Sequence, residues 1–200
     1  MLIANPQVRT NDFESEISNS LLFNSSMSFE KKINSKYHES TPVFTNDGMT
    51  MYFTRNNFLN GKKGRDSKKG ILLKLYKATK NGEDWGTVSE LPFNSNEYSC
   101  AHPALSPDEK TLYFSSNMPG GFGGTDIYVC KWNGSGYEAP KNLGPKVNSS
   151  GNEVFPYVSL DGTLYFASNG WLGYGGLDVF TWDFVSNTPT NMGSPVNSNA

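Results

Sequence analysis

The chain has 200 residues, is 36% hydrophobic and 14% aromatic, and has a mean hydropathy of −0.52. Its net charge of −2 and pI of about 5.7 exclude the basic footprint of a nucleic-acid-binding domain. The longest aliphatic runs, Ile71-Leu72-Leu73 and Leu21-Leu22-Phe23, fall far short of the roughly 20 apolar residues of a transmembrane helix.

Twenty glycines and eleven prolines lie among many Asn and Ser, a mixture that makes turns rather than helices. The first residues, Met-Leu-Ile-Ala-Asn-Pro, lack the apolar stretch of a secretory signal. Residues 28–33, Ser-Phe-Glu-Lys-Lys-Ile, look like the closing segment of a structural unit. Residues 1–33 are therefore expected to hold a degraded or partial blade.

From there the chain repeats. Asn-Ser pairs at Asn34-Ser35, Asn94-Ser95, Asn148-Ser149 and Asn197-Ser198 recur at intervals of 60, 54 and 49 residues. Each unit then presents a proline (Pro42, Pro103, Pro156) and, five positions on, an aspartate (Asp47, Asp108, Asp161). Met51-Tyr52-Phe53, Leu112-Tyr113-Phe114 and Leu164-Tyr165-Phe166 follow, and later Leu75-Tyr76, Ile127-Tyr128 and Val179-Phe180. Each unit reads as four short strands. The first opens at the proline, where a missing N–H breaks no ladder bond, and the aspartate caps the following turn. The second strand is apolar on both faces, as in a sheet held between neighbours. The third begins at Asp126 or Asp178, after a Gly-rich connection, and the fourth lies near residues 138–143 and 188–192.

Four strands per unit of about 50 residues give an all-β fold of antiparallel β-propeller blades. Residues 34–93, 94–147 and 148–197 form three full blades, and 198–200 start the next unit. Closed propellers hold about 4–8 blades, so this stack is expected to belong to a larger, about six-bladed ring. An open stack would expose an apolar face at each end.

Unit one is enlarged. Between Arg55 and Lys80 lie nine basic residues and one acid, Asp66. Its insertion carries Lys62, Lys63, Arg65, Lys68 and Lys69, which read either as a solvated loop or as a contact for an anionic partner. Phe122, Trp171 and Tyr174 in or beside the Gly-rich connections read as inter-blade packing or as aromatic anchors for a partner. Asp47, Asp108 and Asp161 recur a blade apart, which suits turn capping better than paired acid–base chemistry. Asp126 and Asp178 are expected to accept backbone N–H bonds within their blades. Cys100 and Cys130 fall on non-adjacent strands, which argues against a disulfide. No nucleophile elbow, phosphate loop or zinc motif occurs, His102 sits in a structural position beside Pro103, and no cofactor is expected. The chain is read as not an enzyme.

The run from His102 to Asn117, with Ser106-Pro107-Asp108, followed by Gly124-Thr125-Asp126-Ile127-Tyr128, resembles the TolB-type propeller repeat. Gly175-Gly176-Leu177-Asp178-Val179-Phe180 repeats the pattern, and the likeness extends over residues 34–197. Unit one departs from it, with Lys74 where Asp126 and Asp178 stand and about nine extra residues before it. Thr41-Pro42-Val43-Phe44, the run from Met51 to Asn57 and the run from Ala101 to Ser106 are similar to a narrower group, the OmpA-family envelope proteins of Gram-negative bacteria with type IX secretion. That resemblance implies a periplasmic or outer-membrane-associated scaffold near a secretion or adhesin-export channel. Its partner would be an envelope or outer-membrane protein, or cell-wall polymer, and not nucleic acid. Two other readings are the substrate-positioning propeller of a peptidase or carbohydrate-active enzyme, and a glycan-binding lectin.

Overall fold

A computed structural model describes residues 33–34, 37–59, 62–185 and 187–199. The partial blade expected over 1–33 lies outside the described residues except for Ile33.

The first sheet comprises β1 (Glu39–Phe44), β2 (Thr50–Asn56), β5 (Leu73–Asn81) and β6 (Asp84–Glu90), paired in that order. Between β2 and β5, β3 (Phe58–Leu59) and β4 (Lys62–Lys63) form a separate two-stranded hairpin. The second sheet comprises β7 (Cys100–Leu105), β8 (Thr111–Ser116), β9 (Asp126–Lys131) and β10 (Lys141–Asn142). The third comprises β11 (Glu153–Val158), β12 (Leu164–Ser168), β13 (Asp178–Asp183) and β14 (Thr188–Asn191). All neighbours within a sheet run antiparallel. Strands β7 and β11 pack on the preceding sheets, so the three sheets are propeller blades stacked through their faces.

Period-two alternation sends residues of one strand to opposite faces. On β8, Leu112 and Phe114 join Tyr52, Leu75 and Leu91 of the first blade, while Tyr113 joins Leu164, Phe166, Phe180 and Trp182 of the third. Burying each such side chain stabilises by about 1.5–3 kcal/mol. Cys100 and Cys130 are buried and free, and burial pushes both thiols up to about 12.

The first strand of each blade differs from its expected form. It begins three residues before the proline, at Glu39, Cys100 and Glu153, and the proline sits inside it. The ladder accommodates this because the register jumps there, between Ser40 and Val43, Ala101 and Ala104, and Val154 and Tyr157. A bulge removes the need for the proline's N–H. The residue before each proline has positive φ: Thr41 at 47°, His102 at 56° and Phe155 at 53°. This conformation is costly for a β-branched or bulky side chain, and it turns the residue's amide out of its own sheet. His102 N–H thus reaches Thr54 Oγ1 of the first blade at 2.9 Å.

Three of the unit-marking asparagines, Asn94, Asn148 and Asn197, each act as a one-residue strand. Asn94 bonds both the N–H and C=O of Leu75, at 3.0 and 2.7 Å. Asn148 does the same to Ile127 at 2.8 and 3.1 Å, and Asn197 to Val179 at 2.8 and 2.9 Å. The amide is the side chain that offers a donor and an acceptor side by side in this geometry. Replacing Asn148 by Ala leaves both polar groups of buried Ile127 without these partners. The expected cost is about 2–3 kcal/mol, or roughly 5–10 °C in thermal melting. A change below about 1 °C would refute the role.

Candidate functional site

In each blade the start of the first strand, the end of the second and the start of the third share one edge of the sheet. The pairing rows show it: Glu39 with Arg55 and Lys74, Cys100 with Ser116 and Asp126, Glu153 with Ser168 and Asp178. The basic hairpin and both Gly-rich loops leave from that edge. The loop edge therefore gathers Lys62, Lys63, Arg65, Lys68, Lys69, Phe122, Trp171 and Tyr174. Asp47, Asp108 and Asp161 occupy the opposite edge. There each carboxylate accepts the hydroxyl of Thr45, Ser106 or Ser159 and the backbone N–H of Met49, Lys110 or Thr163. These bonds, the hydroxyl first, hold the three carboxyls below the usual range.

The Gly-rich loops fold around a carboxylate. Asp126 accepts Phe122 N–H at 2.6 Å, Gly123 N–H at 3.1 Å and Asn142 Nδ2 at 2.8 Å. Asp178 likewise accepts Tyr174 N–H and Gly175 N–H. A Cβ on Gly121 would overlap Asp126, and one on Gly173 would overlap Asp178, so glycine admits the carboxylate to the loop backbone. In the first blade this pair is rewritten. Lys74 replaces the aspartate, Glu90 replaces Asn142, and the two form an ion pair at 3.0 Å. The connection it supports is the β3–β4 hairpin rather than a Gly-rich loop.

The basic insertion has structure of its own. Asp66 caps the turn that follows β4, accepting Lys68 N–H at 3.0 Å and Gly70 N–H at 2.5 Å. Arg65 donates to Lys69 C=O at 2.6 Å, and Ser67 anchors the segment to Glu97 of the second blade. Lys62, Lys63, Lys68 and Lys69 are exposed, with Lys63 over the Tyr37 ring. Phe122 and Tyr174 are about half exposed. Trp171 instead packs on the core between blades two and three, and its Nε1 donates to Val147 C=O at 2.9 Å.

A pocket of about 230 Å³ opens at this edge, lined by Leu73, Ser99, His102, Ser115, Asn117 and Val154 among others. His102 Nδ1 lies 3.2 Å from Ser115 Oγ and accepts Phe155 N–H at 3.5 Å, and the ring stacks on Phe155 at 3.9 Å. Burial of the ring disfavours its protonated form. Ser115 is buried, and the contact links the side chains of β7 and β8. Among the described residues no group of three or more His, Cys, Asp and Glu could hold a metal, and no helix is long and apolar enough to cross a membrane.

No family model and no curated protein matches the sequence. Solved structures do share the fold. TolB from Acinetobacter baumannii is 18% identical with a TM-score of 0.50, over 76% of this chain and 31% of that one. A putative TolB from Agrobacterium tumefaciens is 18% identical with a TM-score of 0.51, over 80% and 50%. A Mycobacterium tuberculosis puromycin-hydrolyzing peptidase is 17% identical with a TM-score of 0.53, over 80% and 22%. The chain thus spans half or less of each of these structures. At such identities the likeness establishes the blade fold alone. It also corrects one expectation. The reading of the chain as not an enzyme leaned on the blade architecture and missing motifs, yet the same architecture occurs in a peptidase, so catalysis is not excluded by fold.

Two predictions follow from the edge's geometry. Asp126→Ala removes a buried acceptor of three hydrogen bonds and should cost about 3 kcal/mol, seen in denaturant unfolding; equal stability would remove its role. Burial lowers the His102 ring from 6.5 to about 4. Between those values the unfolded chain binds a proton that the folded chain does not, so stability falls as pH drops from 6.5 to 4 and is retained above. His102→Gln should flatten that part of the stability–pH curve, and an identical slope would show that the ring does not control it.

Proposed function

We propose that this chain supplies blades to a TolB-like propeller that acts as a protein- or cell-wall-interaction scaffold in the bacterial envelope. Its place is periplasmic or at the outer membrane, linked to secretion or adhesin export in an OmpA-family, type IX-associated setting. The observation that carries the reading is the β3–β4 hairpin. It projects exposed lysines from the loop edge, while the local acid, Asp66, is occupied in capping the turn that follows β4. Phe122 and Tyr174, half-exposed on the same edge, offer aromatic surface of the kind that anchors interfaces. The repeat's likeness to TolB in sequence and the TolB structures among its fold neighbours support the envelope setting.

Clustered cations on one edge attract anionic polymers or acidic protein faces through screened, long-range forces. The triple variant Lys62→Glu, Lys63→Glu, Lys68→Glu should bind purified anionic envelope polymer about tenfold more weakly at low salt. Its melting temperature should stay near that of the parent, because these side chains are exposed. The parent's binding should decline as salt rises, whereas the variant's should be nearly flat. Unchanged affinity and salt dependence in the variant would discard the hairpin as the contact.

A further inference from the structure

The loop edge carries two kinds of exposed side chain that the core does not use. One kind is cationic. Lys62, Lys63, Arg65, Lys68 and Lys69 are exposed there, and the two acids beside them are engaged. Asp66 caps its own turn, and Glu97 accepts Ser67 N–H at 3.1 Å and its hydroxyl at 2.8 Å. Glu39, Asp126, Glu153 and Asp178, on the same rows, are buried. At the opposite edge acids prevail: Asp47, Glu83, Asp84, Asp108, Asp161 and Asp183 are exposed, against the bases Lys80, Lys110 and Lys131. The chain is therefore dipolar from edge to edge, and an anionic plane would turn the loop edge toward itself.

The other kind is apolar. Leu172 is 95% exposed, although its neighbour Trp171 turns into the core. Phe122 is 48% exposed and Tyr174 52%. These two rings are equivalent, because each residue donates its N–H to the aspartate four positions on, so they stand at matching height on successive blades. The open end of the stack does not create this exposure. Counted back from Asp178 and Asp126, Leu172 matches Gly120, and Gly120 and Phe122 are exposed although the third blade already lies beside their loop.

We propose that the loop edge docks on an anionic phospholipid surface. Leu172, Phe122 and Tyr174 enter the headgroup layer, and the hairpin cations lie over the lipid phosphates. The inference rests on the hairpin being a cationic contact and names the surface that it meets. The form of the apolar groups favours lipid over a protein face, since they are separate loop tips and not a groove that a complementary chain could fill. Rings at headgroup level, an aliphatic tip and neighbouring lysines are the combination that suits a membrane interface. The tips are also held in place before binding. Asp126 and Asp178 fix the Gly-rich loops from within, and Ser67–Glu97 and Asn57–Asn96 bonds tie the hairpin segment to the second blade. Little ordering is then left to oppose docking.

The test is sedimentation of the 200-residue chain with unilamellar vesicles, either of pure phosphatidylcholine or with roughly 30% phosphatidylglycerol. The parent should bind the charged vesicles at low salt at least about tenfold more tightly than the neutral ones, and should release them as salt rises. The double variant Leu172→Ser, Phe122→Ser should bind about tenfold more weakly. Leu172→Ser alone changes a side chain that is almost wholly in solvent, so it keeps the fold and should weaken binding about threefold or more. Leu172→Cys carrying an environment-sensitive fluorophore should shift its emission to the blue on the charged vesicles; Cys100 and Cys130 are buried and escape the label. Absence of binding to the charged vesicles overturns the proposal. So does equal binding by the parent and both serine variants, or an unshifted fluorophore at position 172. A parent that binds soluble anionic polymer through the hairpin but ignores vesicles keeps the hairpin contact and loses the lipid surface. Capture of an envelope protein through Leu172 without vesicle binding makes a protein the occupant and overturns the proposal as well.

Discussion

Tyr113 and Phe114 are neighbours on one strand and bury their rings in different cores, one shared with the third blade and one with the first. The first blade repeats the arrangement with Tyr52 and Phe53, and the rest of the structure depends on it. A sheet with two apolar faces gains its stability only from the sheets on either side, so the blade is the unit of sequence while the junction is the unit of energy. The repeat preserves large side chains at positions such as Leu112, Phe114 and Tyr128 because each belongs to a junction. The polar devices serve the same end. Bulges at Thr41, His102 and Phe155 turn amides out of their own sheets, and His102 uses its amide to reach the neighbouring blade.

One polar pair at the loop edge changes together between blades. Asp126 with Asn142 becomes Lys74 with Glu90. In the same row, blades one and three keep the glutamate and only its partner differs: Glu153 bonds Ser168 at 2.6 Å, whereas Glu39 forms a buried ion pair with Arg55 at 3.0 Å. Arg55 also donates to Ile33 C=O and lies 5.0 and 5.2 Å from the ring centres of Phe53 and Tyr76. A buried charge without its partner costs several kcal/mol, so loss of either Glu39 or Arg55 alone should destabilise the first blade. The consequence reaches the surface. Where the carboxylate is present, a Gly-rich loop wraps around it; where a lysine replaces it, the connection is free to become a cationic hairpin.

Strand order and the Gly-rich loops were legible in the sequence because they follow from alternation and from residue types with narrow backbone preferences. Asp126 and Asp178 stood out because a carboxylate at a strand entry, preceded by glycines, has few other uses. The bulge was not legible. Proline marked the place but suggested a strand end, and nothing in Ser-Thr-Pro or Ala-His-Pro announces a positive φ before the ring, a conformation that local preference opposes. The surrounding ladders impose it. The asparagines were seen as markers and not as clamps, because their partners, Leu75, Ile127 and Val179, lie about 20 residues upstream and are met only after folding. The enzyme question failed for a different reason: a blade fold positions loops, and chemistry depends on what those loops carry.

The loop edge and the junctions between blades follow different physics. At the loop edge the cations and apolar tips are solvated, and the connections can vary while the junctions stay intact, so recognition there is tuned by salt and by loop sequence. The junctions are apolar and filled from both sides, so each must match strand spacing and side-chain volume as blade three matches blade two. Substitutions at Lys62 or Lys68 act on binding and leave folding alone. Substitutions at Phe114 or Phe166, buried in the two junctions, act on folding. That asymmetry separates recognition from assembly within one short repeat.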